Sequence, residues 1–338
     1  MTDLATVLPV IWFFVIGFAV LMYVLLDGFV LGIGILAPFA DDEHQRDLMM
    51  NTAAPIWDGN ETWLVLGGTG LFAAFPKAYA LILSSLYLPV LLMLIALIFR
   101  GVAFEFRFKA EQARWLWGTA FHLGSIAAAF AQGLMLGAIV EGMPLQGGKY
   151  LSGAFAWFSP FSMLTGVAVV FGYALLGATW LVLKTDGRLQ RIAFDLTRPL
   201  MLAVIAFMLL VSAWLPFLSS GLMQRWFTGA NFLYLSPVPL LAVLNAALLW
   251  RAVLRNHELQ PFVLSLCFFA LGFLGLIVGI WPNIVPPTLT IWDAAASPSS
   301  QSFALVGALV MLPAVVAYTI YSYRVFRGKV RAGEGYAH

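Results

Sequence analysis

Long apolar runs, each closed by a short polar stretch, fill the chain from end to end. Nine segments stand out, at 8–39, 56–75, 78–99, 118–140, 161–183, 200–219, 232–250, 262–282 and 303–326. Most are close to the ~20 apolar residues that a helix needs to cross a ~30 Å hydrocarbon core. The pattern predicts an all-α integral membrane protein with about nine transmembrane helices in one polytopic domain, 1–338. The second segment carries Gly67, Gly68 and Gly70, small residues that let neighbouring helices approach closely in lipid. The Pro-rich stretch 282–298 has room for a short re-entrant piece.

Charge in the connections sets an orientation. With the N-terminus outside, fifteen of the eighteen Lys and Arg residues fall in the inner connections and the C-terminal tail. Only Lys77, Lys149 and Arg225 fall outside. This positive-inside bias predicts an odd number of spans and a cytoplasmic C-terminus.

Composition agrees. The chain is 62% hydrophobic and 10% charged, against about a quarter charged for a soluble domain. A net charge of +2 gives no reason to expect a nucleic-acid partner. The one cysteine, Cys267, excludes an internal disulfide and a Cys-based metal site. Inside an apolar run, it reads as a small core residue. The first run is too long for a signal-peptide core and lacks a basic flank, so it reads as a true span. The longest polar connections are no more than about twenty residues, so chemistry must lie within the membrane or on a partner.

Ionisable groups near apolar segments are therefore the informative ones, because a charge at mid-bilayer costs at least ~2.5–3.5 kcal/mol. Asp27 lies far down the first segment, near its cytoplasmic edge, with Gly28 and Gly32 offering a close-packing face beside it. It is either an interfacial acid bonded to a neighbouring helix end or a functional group. Asp58 and Glu61 open the second span, three residues apart on one helical face. Such a pair can hold and pass protons; Asp58 can equally favour a helix N-terminus. Trp57, Asn60 and Trp63 accompany them, and capping requires none of the three. His122, in the fourth span, reads as a hydrogen-bonded core histidine rather than a haem ligand, since His44, His257 and His338 lie in connections or the tail. Asp293, beside Trp292, reads as a helix-cap or loop residue. Glu105, Arg107 and Lys109 read as a solvated face, and Arg100 as a snorkelling anchor. Trp115, Trp117, Trp226 and Trp292 fit interfacial aromatic belts. No phosphate loop, metal-ligand cluster or nucleophile triad is present.

Several motifs nevertheless follow one another in a specific order. They are Asp27-Gly28-Phe29, Pro55-Ile-Trp57-Asp58-Gly59-Asn60-Glu61-Thr62-Trp63, and Gly70-Leu-Phe72-Ala-Ala-Phe75-Pro76. Phe99-Arg100-Gly101-Val-Ala-Phe104-Glu105, Trp281-Pro282 and Leu289-Thr-Ile-Trp292-Asp293-Ala follow. In these the chain resembles subunit II of the cytochrome bd-type quinol oxidases, over nearly its whole length. The short connection between the sixth and seventh spans is similar to that of the cyanide-insensitive branch.

The resemblance implies two four-helix bundles and a peripheral ninth helix, with 8–140 as the first bundle, 161–282 as the second helix set and 303–326 as the ninth helix. It implies a partner, subunit I, that carries two haem b and one haem d, with no haem on this chain. It also allows a small third subunit, bound phospholipid and a structural quinone whose residues are unassigned. The complex would oxidise quinol at the outer face and reduce dioxygen to water with cytoplasmic protons. Asp58 then matches an acid at the mouth of a proton path, with Asp27 and Glu61 as neighbours. Two alternatives remain from the residues alone: a secondary transporter or permease, and a membrane scaffold without a proton path.

Overall fold

The computed structural model describes residues 3–110, 112–143, 153–218, 231 and 235–330, and the backbone of 145–146 and 149–150. Arg225, Trp226, Arg331, His338 and most of the connection between the sixth and seventh spans lie outside the described residues.

Helices follow the apolar runs and extend past them. They are α1 (Leu4–Leu36), α2 (Glu43–Asn51), α3 (Trp57–Ala74), α4 (Pro76–Phe106), α5 (Arg114–Glu141) and α6 (Pro160–Lys184). Then come α7 (Gly187–Leu218), α8 (Pro237–Leu254), α9 (Leu259–Ile280), α10 (Ile291–Ala294) and α11 (Pro298–Val325). Eight of these are long and apolar enough to cross a membrane. The remaining expected span is α3, 18 residues long, whose Asp58 and Glu61 dilute its apolar character. This is an all-α membrane protein. The amphipathic α2 interrupts what reads in the sequence as a plain connection.

Polar residues begin the helices where the apolar runs end. Asp42 accepts a hydrogen bond from the Gln45 N–H at 2.8 Å, starting α2. Ser159 and Ser162 form a reciprocal capping box ahead of α6, with Pro160 in the first turn. Helix α4 bends at Leu86, whose backbone leaves the helical region. The cause is Pro89, which lacks an N–H and crowds the preceding turn.

Glycines bring the helices together. A Cβ on Gly32 of α1 would collide with the Tyr173 carbonyl of α6 and lie 2.7 Å from the Gly177 nitrogen. The two backbones thus touch at Gly32 and Gly177, the close approach expected where lipid offers no hydrophobic drive between helices. Gly124 does the same for α5 on α4, where a Cβ would sit 2.7 Å from the Ala96 carbonyl oxygen. The glycines of α3 differ among themselves: Gly67 and Gly70 face α1, while Gly68 meets nothing.

Side-chain contacts gather the helix ends into two groups. At one end, the Lys77 ammonium donates to the Asp293 carbonyl, Trp12 Nε1 to the Gln301 carbonyl and Trp292 Nε1 to the Thr6 carbonyl. The stretch expected to hold a re-entrant piece lies here. It folds as a hairpin, β1 (Asn283–Val285) with β2 (Leu289–Thr290), followed by α10. At the other end Arg188 meets Asp41, Arg107 meets Glu43 and Asp47, and Lys329 meets Asp186 and Glu258.

The expectation for Cys267 is overturned. Cys267 is exposed rather than packed in the core. It sits on the outward face of α9, while Ser265 and Phe268 turn inward.

Candidate functional site

Three helices bring one buried charge cluster together. Asp27 comes from α1, Arg100 from α4 and Glu61 from α3. Arg100 Nη2 lies 2.7 and 2.6 Å from the two Asp27 carboxylate oxygens, and neither side chain is exposed at all. The same nitrogen lies 3.0 Å from Glu61 Oε1, whose side chain keeps 27% exposure. Arg100 is therefore no snorkelling anchor. Its guanidinium turns inward because α5 presses on the α4 backbone at Gly124, and because Asp27 supplies the countercharge that a buried cation requires.

The signature around Glu61 builds the rest of the site. The Trp57 ring stacks on Phe104 with centroids 5.3 Å apart, and the Arg100 guanidinium carbon lies 5.6 Å from the Trp57 centroid. Asn60 is buried and donates from Nδ2 to the Leu26 carbonyl at 2.9 Å, fixing the turn of α1 that presents Asp27. The Tyr323 hydroxyl of α11 donates to Asn60 Oδ1 at 3.1 Å. Trp63 is fully buried, edge-on to Phe18. Asp58 sits in the first turn of α3 and is exposed, while Ile56 occupies the cap position without a side-chain cap. Asp58 thus makes no capping hydrogen bond, and it stands one turn outside Glu61.

Two carboxylates on one guanidinium leave a net negative charge when both are ionised. One arriving proton neutralises that charge. Asp27 is sealed and doubly engaged, whereas Glu61 keeps part of its side chain exposed.

Sequence reasoning missed the inner side of this cluster. Tyr23 of α1, Gln132 of α5 and Tyr173 of α6 form a hydrogen-bonded string beside Asp27. The available signal was Gln132, a lone amide within an apolar run.

A second charge cluster lies at the end that holds α2, outside the spans. Arg107 is 1% exposed and donates to Glu43 at 2.5 Å, to Asp47 at 3.0 Å and to the Arg114 carbonyl at 2.8 Å. It is thus not part of a solvated face, whereas Glu105 and Lys109 are exposed. The Arg107 hydrogen bond holds the Glu43 carboxyl below its ordinary range. Arg188 does the same to Asp41, and Lys329 with Gln190 to Glu258.

The remaining candidates fall apart from the cluster. His122 Nδ1 donates to the Gly34 carbonyl at 2.9 Å, the hydrogen-bonded core role expected of it. Asp293 closes a small cap with Thr290, the first residue before α10. Trp115 and Trp292 are exposed, as interfacial residues would be. Among the described residues, no group of three or more His, Cys, Asp or Glu converges on a metal position.

Comparison with known proteins identifies the family of the chain. Residues 8–326 match the family described as cytochrome bd terminal oxidase subunit II. The chain is 27% identical to cytochrome bd-I ubiquinol oxidase subunit 2 of Escherichia coli (strain K12), covering 96% of this chain and 95% of that one. It is 29% identical to cytochrome bd ubiquinol oxidase subunit 2 of Bacillus subtilis (strain 168), covering 95% and 96%. Its fold is similar to a chain in the structure of bd oxidase from Geobacillus thermodenitrificans. There the TM-score is 0.81 at 19% identity, with 95% and 98% covered. None of this favours a transporter. A match that runs from residue 8 to residue 326, from the first span to the last, makes this chain a member of the cytochrome bd terminal oxidase subunit II family.

Proposed function

We propose that this chain is the haem-free subunit of a respiratory quinol:oxygen oxidoreductase and that it supplies cytoplasmic protons for the reduction of dioxygen to water. The observation that carries this reading is the placement of Glu61, partly exposed and 3.0 Å from an otherwise sealed Arg100–Asp27 pair. Asp58, exposed one turn earlier on α3, is the entrance. A proton taken up there passes to Glu61, whose neutralisation relieves the excess negative charge around Arg100. Asp27 remains the fixed countercharge. Arg100 Nε and Nη1, buried without a protein acceptor, are donors suited to orienting water along this route.

The topology supports the direction of transfer. Nine traversals, counting α3, would leave the two termini on opposite faces, and the positive-inside bias assigns the N-terminus to the outer one. The end rich in Arg and Lys, where Arg107, Arg114, Arg188 and Lys329 form their ion pairs, then faces the cytoplasm. Asp58 opens toward that side, and Asp293 lies on the other. The partner, subunit I, would hold two haem b and one haem d, and these groups would supply the electron transfer from quinol to dioxygen. Two helix bundles with α11 at their edge form the scaffold that seats it.

The reading is tested by purifying a tagged form of this chain from its native membrane. Co-purification of a haem-bearing membrane subunit with quinol-driven oxygen consumption is expected. In that complex Asp58→Asn slows turnover. Isolation of the chain without a haem protein, or full turnover and charge separation in Asp58→Asn, would overturn it.

A further inference from the structure

We infer that Gln132 is a positioning residue that aims the Tyr23 hydroxyl at Asp27 and so holds the Asp27 carboxylate for proton exchange at Glu61. The inference rests on the proton-supply reading above. The Tyr173 hydroxyl donates to Gln132 Oε1 at 2.7 Å, and Gln132 Nε2 donates to the Tyr23 oxygen at 2.8 Å. A carboxamide has one accepting and one donating end. With Oε1 taken by Tyr173, only the amino end faces Tyr23. A phenol oxygen that accepts must point its single O–H elsewhere. Tyr23 stands one turn before Asp27 on the same face of α1, and both side chains are buried, so the carboxylate is the anion beside its hydroxyl. All three donors therefore run in one direction, toward the anion. Turning the amide over would reverse the string and take the Tyr23 hydrogen away from Asp27, an arrangement that the negative charge disfavours.

Packing holds the string in this form. Tyr23 and Tyr173 are 4% and 2% exposed. Tyr173 lies against Gly28, where a Cβ would come within 2.7 Å of its ring, and it stacks on Phe269 with centroids 5.9 Å apart. Gly28 therefore makes room for the phenol that orients Gln132. The titratable and charged groups around Asp27 are Tyr23 from α1, Glu61 from α3 with Asp58 beyond it, Arg100 from α4, Tyr173 from α6 and Tyr323 from α11. Helix α5 contributes the neutral Gln132. It acts through Tyr23 and touches no reacting atom.

The test is the pH profile of oxygen consumption by the intact complex at saturating quinol. Gln132→Leu is expected to lower turnover about fivefold and to displace the profile by about half a pH unit or more. Quinol KM and haem content stay unchanged. Tyr173→Phe, which frees the amide to turn, gives a smaller change of the same kind. In a Tyr23→Phe background Gln132→Leu adds nothing further, because no hydroxyl is left to aim. A profile that superposes on the wild type, or two substitutions that add independently, would overturn the inference. Glu61→Gln measured alongside separates the two levels. Full turnover in Glu61→Gln removes the proton-supply reading, whereas slow Glu61→Gln beside full-speed Gln132→Leu removes only the role of Gln132.

Discussion

A single nitrogen of Arg100, Nη2, contacts both carboxylate oxygens of Asp27 and so links α4 to α1, with both side chains wholly buried. The two residues are 73 positions apart in sequence. Burying either charge alone is prohibitive, so each residue is the condition for the other.

Breaking this pair from one side is therefore expected to cost about 3–5 kcal/mol. Arg100→Gln leaves Asp27 uncompensated, and the chain should fail to accumulate in the complex. Pairing it with Asp27→Asn removes both charges and should restore part of the yield. The amount of chain that co-purifies with its partner reads this out, and equal yields from the single and double variants would contradict it.

Glycine contacts give a sharper contrast. Gly177→Leu forces α6 away from the Gly32 backbone, and overpacking of this kind costs about 1–3 kcal/mol or more. Gly68→Leu, on α3, meets no neighbour and should melt with the wild type. Thermal melting of the purified complex distinguishes the two.

Lys184 ties the end of α11 to α6. Its ammonium donates to the Phe326 carbonyl at 2.6 Å and the Gly328 carbonyl at 2.9 Å, and lies 5.2 Å from the Trp180 centroid. Both helices end here, so their C-terminal dipoles favour the cation. Lys184→Met should cost about 2 kcal/mol and expose the chain beyond Val325 to protease in inside-out vesicles. Cleavage at the wild-type rate would contradict this role.

Acid should loosen the α2 end first. Asp41, Glu43 and Glu258 are held below their ordinary range by Arg188, Arg107 and Lys329. A carboxyl lowered on folding contributes stability that is present above its unfolded value. That stability is lost as pH falls through the lower folded value. The melting temperature should therefore drop on acidification below about pH 4. Arg188→Gln and Lys329→Met should each flatten part of that drop.

Much of this was legible in the chain itself. Apolar run lengths located the long helices, because a bilayer fixes their minimum span. Asp27, Asp58 and Glu61 stood out because charges beside apolar runs are costly. The partner of each charge was not legible. Arg100 and Arg107 lie at the end of an apolar run, where an inward-turned arginine and a snorkelling one have the same sequence. The difference lies in Asp27, Glu43 and Asp47, carried on other helices. Cys267 was misjudged for a related reason, since in lipid both faces of a helix are apolar and composition does not reveal which is buried. Gln132 was visible as a polar exception, but its two tyrosine partners come from α1 and α6, which only the fold brings beside it.

The central claim, that protons enter from the cytoplasm through Glu61, is tested most directly by proton uptake during reaction of the fully reduced complex with dioxygen. The measurement uses a pH indicator on the cytoplasmic side and compares wild type with Glu61→Gln. Glu61 is partly exposed and Gln keeps its shape, so the substitution should leave assembly, haem content and quinol affinity intact. Uptake should slow about a hundredfold or more, the scale of a lost acid–base group. Uptake at the wild-type rate in Glu61→Gln would contradict the account.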